Sequence, residues 1–261
     1  MVRPISMPPE VGEIQAMKKT AGRDEVFRKT KDRIEDFRFG SEVATVFDDM
    51  VLRSVPFYAE MQRMVAEMVK DFATEGSNIY DLGCSTGTTM LNLDPTIPPT
   101  TRFVGVDNSA EMLERCARKL EEAGFTRPHE LVCADLEKGV QIHNASVVMM
   151  ILTLQFIRPL NRDRLMADVY RGLNENGALI LIEKVLGEDS MFNRLFIGYY
   201  YDQKRRNGYS EMEIVQKREA LENVLIPYKL LENRELLLRT GFRYVDVFFK
   251  WYNFCGMVAV K

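Results

Sequence analysis

Three aspartates each close a short apolar run: Asp81 in "NIYDLG", Asp107 in "RFVGVD" and Asp135 in "HELVCAD". A carboxylate in that place can accept from hydroxyls or face a cation, because ligands of open α/β sheets bind at the carboxyl ends of the strands. The first run continues into the turn Asp81-x-Gly83-x-Ser85-x-Gly87. Its glycines let the backbone approach a ligand closely, and a helix entered from the turn aims free N–H groups at it. Asp107 follows Gly83 by 24 positions, the spacing of a carboxylate that reaches both hydroxyls of a ribose. Asp135 closes the third run, where an adenine edge is met. Any one of these acids could be a solvated turn or a helix cap. All three in order predict a nucleoside crevice.

Such a crevice needs a sheet behind it. The runs "NIYDLG", "RFVGVD", "HELVCAD", "ASVVMMILTL" and "GALILIEKV" are short, rich in Val, Ile and Leu, and mostly without alternation. They read as strands buried on both faces. Helical patterns lie between them, "AEMLERCARKLEEAG" ending on Gly124 and "NRDRLMADVYRGLNENG" ending on Gly177. This alternation predicts a doubly wound, mostly parallel seven-stranded α/β sheet. The last two strands, around "YVDVFFKW" and "CGMVAVK", are too close for a helical crossover, so one must run antiparallel. Before the sheet, Tyr58, Met61, Met64, Val65 and Met68 recur at helical spacing, an amphipathic helix whose Met stripe reads as core. Residues 187–227 form a helical insertion. Residues 1–40 are charged, with few apolar anchors, and read as a partly helical N-terminal extension to a domain at 41–261.

Composition narrows the partners. The chain has 261 residues, 46% hydrophobic and 28% charged, with a formal net charge of −3. That balance gives no global attraction to nucleic acid, and the basic stretch "KKTAGRDEVFRKTKDR" is interleaved with acids, which argues against direct nucleic-acid contact. No apolar run has the length of a membrane span, and "MVRPISMPPEVGEIQ" lacks the apolar core of a secretory signal, so a cytoplasmic protein is expected. Cys84, Cys116, Cys133 and Cys255 are scattered, and with His129 and His143 they offer no metal-ligand spacing, so no metal is expected.

The Gly-x-Gly-x-x-Gly spacing of dinucleotide enzymes is absent, an acid precedes the first glycine, and a terminal hairpin replaces a second nucleotide half. In these features the chain resembles class I S-adenosylmethionine-dependent methyltransferases, which puts Asp81 opposite the cationic amino group of the ligand. The stretches "VFDDMVLRSVPFY", "YDLGCSTG", "VDNSAEMLERC", "KRRNGYSEMEIVQKREALENVL" and "YNFCGMVAVK" carry the likeness further. From about residue 40 onward the chain resembles the bacterial carboxy-S-adenosylmethionine synthases. That resemblance implies a transferase that uses prephenate as carboxyl donor, releases phenylpyruvate, and turns the sulfonium methyl of S-adenosylmethionine into a carboxymethyl group. The product, carboxy-S-adenosylmethionine, serves wobble-uridine modification of tRNA. The resemblance also implies ligand contacts from Tyr58, from Gly83, Cys84 and Ser85 in the turn, from Asp107 and Asn108 at the ribose, and from Asp135 and Leu136 at the adenine. It gives Arg205 the new carboxylate, a role suited to a planar guanidinium, and counts Tyr58 and Arg205 as catalytic. Ile151 stands where the family has a ligand-contacting asparagine, and Thr86, Thr88 and Thr89 replace smaller or apolar residues. Two other readings therefore stay open: a methyl- or alkyltransferase acting on a small molecule, with S-adenosylmethionine or its carboxylated form, and a binding protein without catalysis. A homodimer with a small acid as substrate is expected.

Overall fold

The computed structural model describes residues 22–30 and 33–261. Its strands are β1 Asn78–Leu82, β2 Arg102–Asp107, β3 His129–Cys133, β4 Ala145–Ile151, β5 Leu173–Lys184, β6 Tyr244–Trp251 and β7 Phe254–Val260. They form one sheet in the order β3-β2-β1-β4-β5-β7-β6. The first five strands pair in parallel, and β7 runs antiparallel to both β5 and β6. The tight link from Trp251 to Phe254 supplies the expected hairpin.

Alternate residues of each strand enter two separate cores, as the pleat requires. On one face Ile79, Phe103, Val147, Met149, Ile180 and Ile182 meet helices α1 Ser41–Ser54, α2 Tyr58–Phe72, α3 Thr88–Leu93 and α4 Ala110–Glu122. On the other, Leu82, Val106, Val148, Met150, Leu179 and Leu181 meet α5 Pro159–Gly172 and α8 Leu230–Thr240. Between β5 and α8 lie the insertion helices α6 Ser190–Arg206 and α7 Glu211–Leu221. Of the α2 stripe, Met61 and Val65 are buried, as is Val69, while Tyr58, Met64 and Met68 are half-buried. Among the described residues no helix is long and apolar enough to cross a membrane.

Two expectations need correction. Helix α5 ends at Gly172, not Gly177. An added Cβ at Gly172 would sit 2.3 Å from the Ile142 side chain, and Leu173 is already extended. Residues 173–176 thus join β5, with Asn176 in a left-handed turn at φ 60°. The run "HELVCAD" is not buried on both faces. As β3 it forms a sheet edge with a strand on one side only, and its residues are exposed or half-buried.

Residues 1–21 of the expected extension lie outside the described residues. Those of 22–40 that are described form turns and bends, and they are tied down from a distance. Phe27 and Phe37 are buried with Val43, Ala44 and Met50 of α1 and Ala220 of α7. Asp24, 2% exposed, accepts from the Tyr209 hydroxyl at 2.5 Å and from the Lys217 ammonium at 3.4 Å. Gln216 of α7 donates to the carbonyls of Phe27 and Lys29. The segment therefore straps the insertion to α1.

Candidate functional site

The strand ends open into a cavity of about 780 Å³. Gly83, Ser85, Asp107, Asn108, Asp135, Leu136 and Ile151 all line it. They come from the carboxyl ends of β1, β2, β3 and β4. Phe37, Arg38 and Phe39 of the strap form another part of the wall. The Ser109 hydroxyl fixes this wall by donating to the Phe39 carbonyl at 2.6 Å.

The glycine turn has the shape that its sequence demands. Gly83 has φ +83°, and an added Cβ would fall 2.4 Å from Thr153 Oγ1. At Gly87, φ +76°, it would fall 2.5 Å from Cys116 Sγ. Neither position admits another residue without a shift. Asp107 holds the turn from below. Its Oδ2 accepts from the Ser85 N–H at 3.0 Å and its Oδ1 from the Ser109 N–H at 2.9 Å. Burial pushes its pKa up, while those N–H groups and that of Asn108 oppose the rise. Each oxygen keeps a second lone pair for a ligand hydroxyl. Asp135 caps the next turn, accepting from the Glu137 N–H at 2.9 Å.

Asp81 and Tyr58 lie beside the cavity instead of in its wall. Asp81 is 2% exposed, and its Oδ2 has no hydrogen-bond partner. Burial and then the nearby Asp107 push its pKa up to about 7. An isolated buried carboxylate oxygen is costly. A donor cation would satisfy it, so the residues fit the amino group of an S-adenosylmethionine-type ligand. Tyr58 opens α2 and accepts from Gln62 Nε2 at 3.0 Å. Its phenol is pushed up by burial and by the charges of Asp48 and Asp81. Cys84 does not line the cavity: its thiol is buried toward Cys116 and Gly105, its N–H donates to the Val106 carbonyl, and its carbonyl accepts from the Gly87 N–H.

The threonines of the turn serve packing. Thr86 and Thr88 donate to Asp48 Oδ1 of α1 at 2.7 and 3.1 Å, and Lys119 donates to Asp48 Oδ2 at 2.7 Å. Thr89 accepts from Gln62 at 3.1 Å. These bonds fasten α1 and α2 to the turn. On the far side, Glu183 accepts from the Leu154 and Gln155 N–H groups at 3.0 and 2.7 Å and so shapes the loop after Ile151.

Arg205 is not brought into this cavity. It is exposed on α6 and ion-paired with Asp202 and Glu211. Besides Arg38 of the strap, the cations that do line the cavity are Lys184, Lys204, Lys217 and Arg218, with Tyr200, Tyr201 and Phe254 beside them. Sequence reasoning missed the lysines. The signal was available, since Tyr200 and Lys204 are four apart and share one face of a helix. The tyrosine run splits: Tyr200 is buried, Tyr201 half-buried, and Tyr199 is 41% exposed. Among the described residues no group of three or more His, Cys, Asp or Glu could hold a metal ion.

Known proteins show matching features. The methyltransferase domain family matches residues 79–177. The carboxy-S-adenosyl-L-methionine synthase of Methylococcus capsulatus is 63% identical over 240 residues, covering 92% of this chain and 99% of that protein. The synthase of the same name from Shewanella sediminis is 39% identical over 240 residues, covering 92% and 98%. Among solved structures, YcgJ from Bacillus subtilis aligns with TM-score 0.59 at 11% identity, over 78% of this chain and 99% of that one. A SAM-dependent methyltransferase from Aquifex aeolicus aligns with TM-score 0.56 at 18% identity, over 85% and 99%. The two structures share the fold.

Proposed function

The chain belongs to the carboxy-S-adenosyl-L-methionine synthase family, and from that premise we propose that it makes carboxy-S-adenosylmethionine with prephenate as the carboxyl donor. The observation that carries this reading is the 63% identity to a synthase of that name over 92% of the chain. The site supports it. A crevice built for a nucleoside continues into a cavity large enough for a second small molecule, walled by the insertion.

In this reading Asp107 and Asn108 hold the ribose, Asp135 and Leu136 the adenine, and the backbone of Gly83 to Ser85 approaches the amino-acid part. Asp81 takes the ligand's ammonium on its unpartnered oxygen, with Tyr58 packed beside it. Bound there, S-adenosylmethionine supplies a sulfonium methyl carbon as the acceptor. Prephenate gives up its ring carboxylate as carbon dioxide and its ring hydroxyl as hydroxide, leaving phenylpyruvate. The new carbon–carbon bond joins methyl carbon to carbon dioxide, and the displaced methyl proton leaves with the hydroxide as water. Excluding bulk solvent from the carbon dioxide falls to the strap and insertion, through Phe37, Phe39 and Tyr200. The product goes to a separate enzyme that modifies wobble uridine.

The added carboxylate belongs to Arg205 in this proposal. Arg205 faces away from its own chain's cavity, and the same helix exposes Met191, Phe192, Leu195 and Tyr199. A homodimer formed over that helix face would present Arg205 to a ligand held by the second copy. Ile151 gives hydrocarbon where the family has an amide, which favours a small-molecule methyltransferase as the second reading. Mass spectrometry of the small molecule released from the purified protein separates the two. Carboxy-S-adenosylmethionine supports the synthase; S-adenosylmethionine with S-adenosylhomocysteine and no carboxylated form supports the methyltransferase.

A further inference from the structure

Lys184 ends β5, and Lys204 lies in α6 with only 5% of its surface exposed. Both line the cavity, and both ammonium groups rest against the ring of Tyr200, 5.1 and 4.8 Å from its centre. Tyr200 is itself buried against Phe254, with ring centres 5.4 Å apart. Neither ammonium has a hydrogen bond or a carboxylate within ion-pair distance among the described residues. Lys217, deeper under the strap, differs: it bonds Asp24 and Ser54 at 3.4 and 3.1 Å. The Asp24 carboxylate is thus already used by Lys217 and Tyr209.

Two unpaired cations on one aromatic ring, Lys204 buried and Lys184 half-buried, are a costly arrangement. An aromatic face compensates an ammonium only in part, and burying a charge without a counter-ion is strongly unfavourable. Burial alone pulls the Lys184 pKa down to about 8. Lys204 is pulled well below its usual range by burial and by repulsion from Lys217 and Lys184, with Asp24 the only opposing charge. A site in this condition is ready for an anion.

The geometry points to Lys184 and Lys204 as the subsite that grips the donor's surviving 2-oxo-acid carboxylate, the one retained in phenylpyruvate. This rests on the proposed function for the identity of the donor. The departing ring carboxylate is a poor partner for these ammoniums, because pairing it would stabilise the ground state and oppose loss of carbon dioxide. The retained carboxylate keeps its charge from substrate to product. Gripping it positions the donor at no cost to the chemical step.

Phenylpyruvate is the probe, titrated by calorimetry into the protein loaded with S-adenosylhomocysteine, where no reaction can occur. Lys204→Met and Lys184→Met are each expected to weaken phenylpyruvate about tenfold or more, the loss typical of a charge-assisted bond. Affinity for S-adenosylhomocysteine should stay within about twofold of wild type. At pH 8.5 wild-type binding should also take up protons, seen by varying buffer ionisation enthalpy, and that uptake should shrink in both variants. Folding is expected to survive, since apolar replacement of an unpaired buried charge stabilises the ligand-free protein. A protein that makes carboxy-S-adenosylmethionine, but whose variants bind phenylpyruvate as tightly as wild type, overturns the subsite alone. Equal loss for phenylpyruvate and S-adenosylhomocysteine overturns it too, as the mark of a structural role. A wild type that makes no carboxy-S-adenosylmethionine yet holds phenylpyruvate through these lysines overturns the proposed function and supports the subsite.

Discussion

Replacing Asp81 by Asn is expected to weaken S-adenosylmethionine binding by about tenfold to a hundredfold. The carboxylate is 2% exposed with one oxygen unpartnered, so a ligand ammonium there gains a hydrogen bond to a charged group, worth roughly 1.5–3 kcal/mol. Methylthioadenosine has the nucleoside but no amino-acid part, and its affinity should be nearly unchanged. The pH dependence has a fixed sign. With the Asp81 pKa raised to about 7, the ionised form that binds a cation is lost as pH falls, so wild-type affinity should drop between about pH 7 and 5, and Asp81→Asn should flatten that drop. Stability of the ligand-free protein runs the other way. The folded-state value lies above the unfolded one, near 3.8, so stability declines as pH rises from about 4 to about 7, and Asp81→Asn should raise the melting temperature at neutral pH. Calorimetry with both ligands at pH 5.5 and 7.5 is the assay. Equal losses for the two ligands, or none for either, would refute the reasoning.

Gly83→Ala should lower stability by at least ~1–2 kcal/mol, the cost of a left-handed alanine, with further loss from the clash with Thr153; thermal melts and nucleoside titration read both effects. Asp24→Ala leaves Lys217 buried without its carboxylate and should cost roughly 3 kcal/mol in urea unfolding. Trypsin should then cut the strap first, whereas uniform cleavage along the chain would argue that the strap is not a separate unit. Arg205→Ala should leave the melting temperature unchanged, because its ion pairs are exposed, while affinity for the carboxylated ligand falls several-fold and affinity for S-adenosylmethionine does not. Mixing Arg205→Ala and Asp81→Asn proteins should give more activity than the two measured apart if the arginine acts across a dimer, and no gain would count against that placement.

Much of the sheet was legible because five apolar runs lacked alternation, and strands covered on both faces leave that trace. The same trace misled at β3, where residue type gave no notice that the strand would lie at the sheet edge. Two glycines offered helix stops, Gly172 and Gly177, and the first was taken; what keeps Gly172 free of a side chain is Ile142, a contact 30 residues away in the chain and invisible to local pattern. The aspartates and glycines stood out because each answers to a backbone position. The cationic wall did not. In "DQKRRNG" three basic residues look alike, yet a helix turns about 100° per residue, so Lys204 points inward and Arg205 outward. The strap was harder still: Asp24 meets Tyr209 and Lys217 across 185 and 193 positions of chain.

The central claim is that the ring carboxylate of prephenate becomes the carboxyl group on the sulfonium methyl. Prephenate labelled with carbon-13 at that carboxylate, incubated with S-adenosylmethionine and the purified protein, tests it directly by mass spectrometry. The account predicts that the label enters carboxy-S-adenosylmethionine and that unlabelled phenylpyruvate accumulates with it, one for one. Unlabelled carboxy-S-adenosylmethionine, or S-adenosylhomocysteine with no carboxylated product, would contradict it.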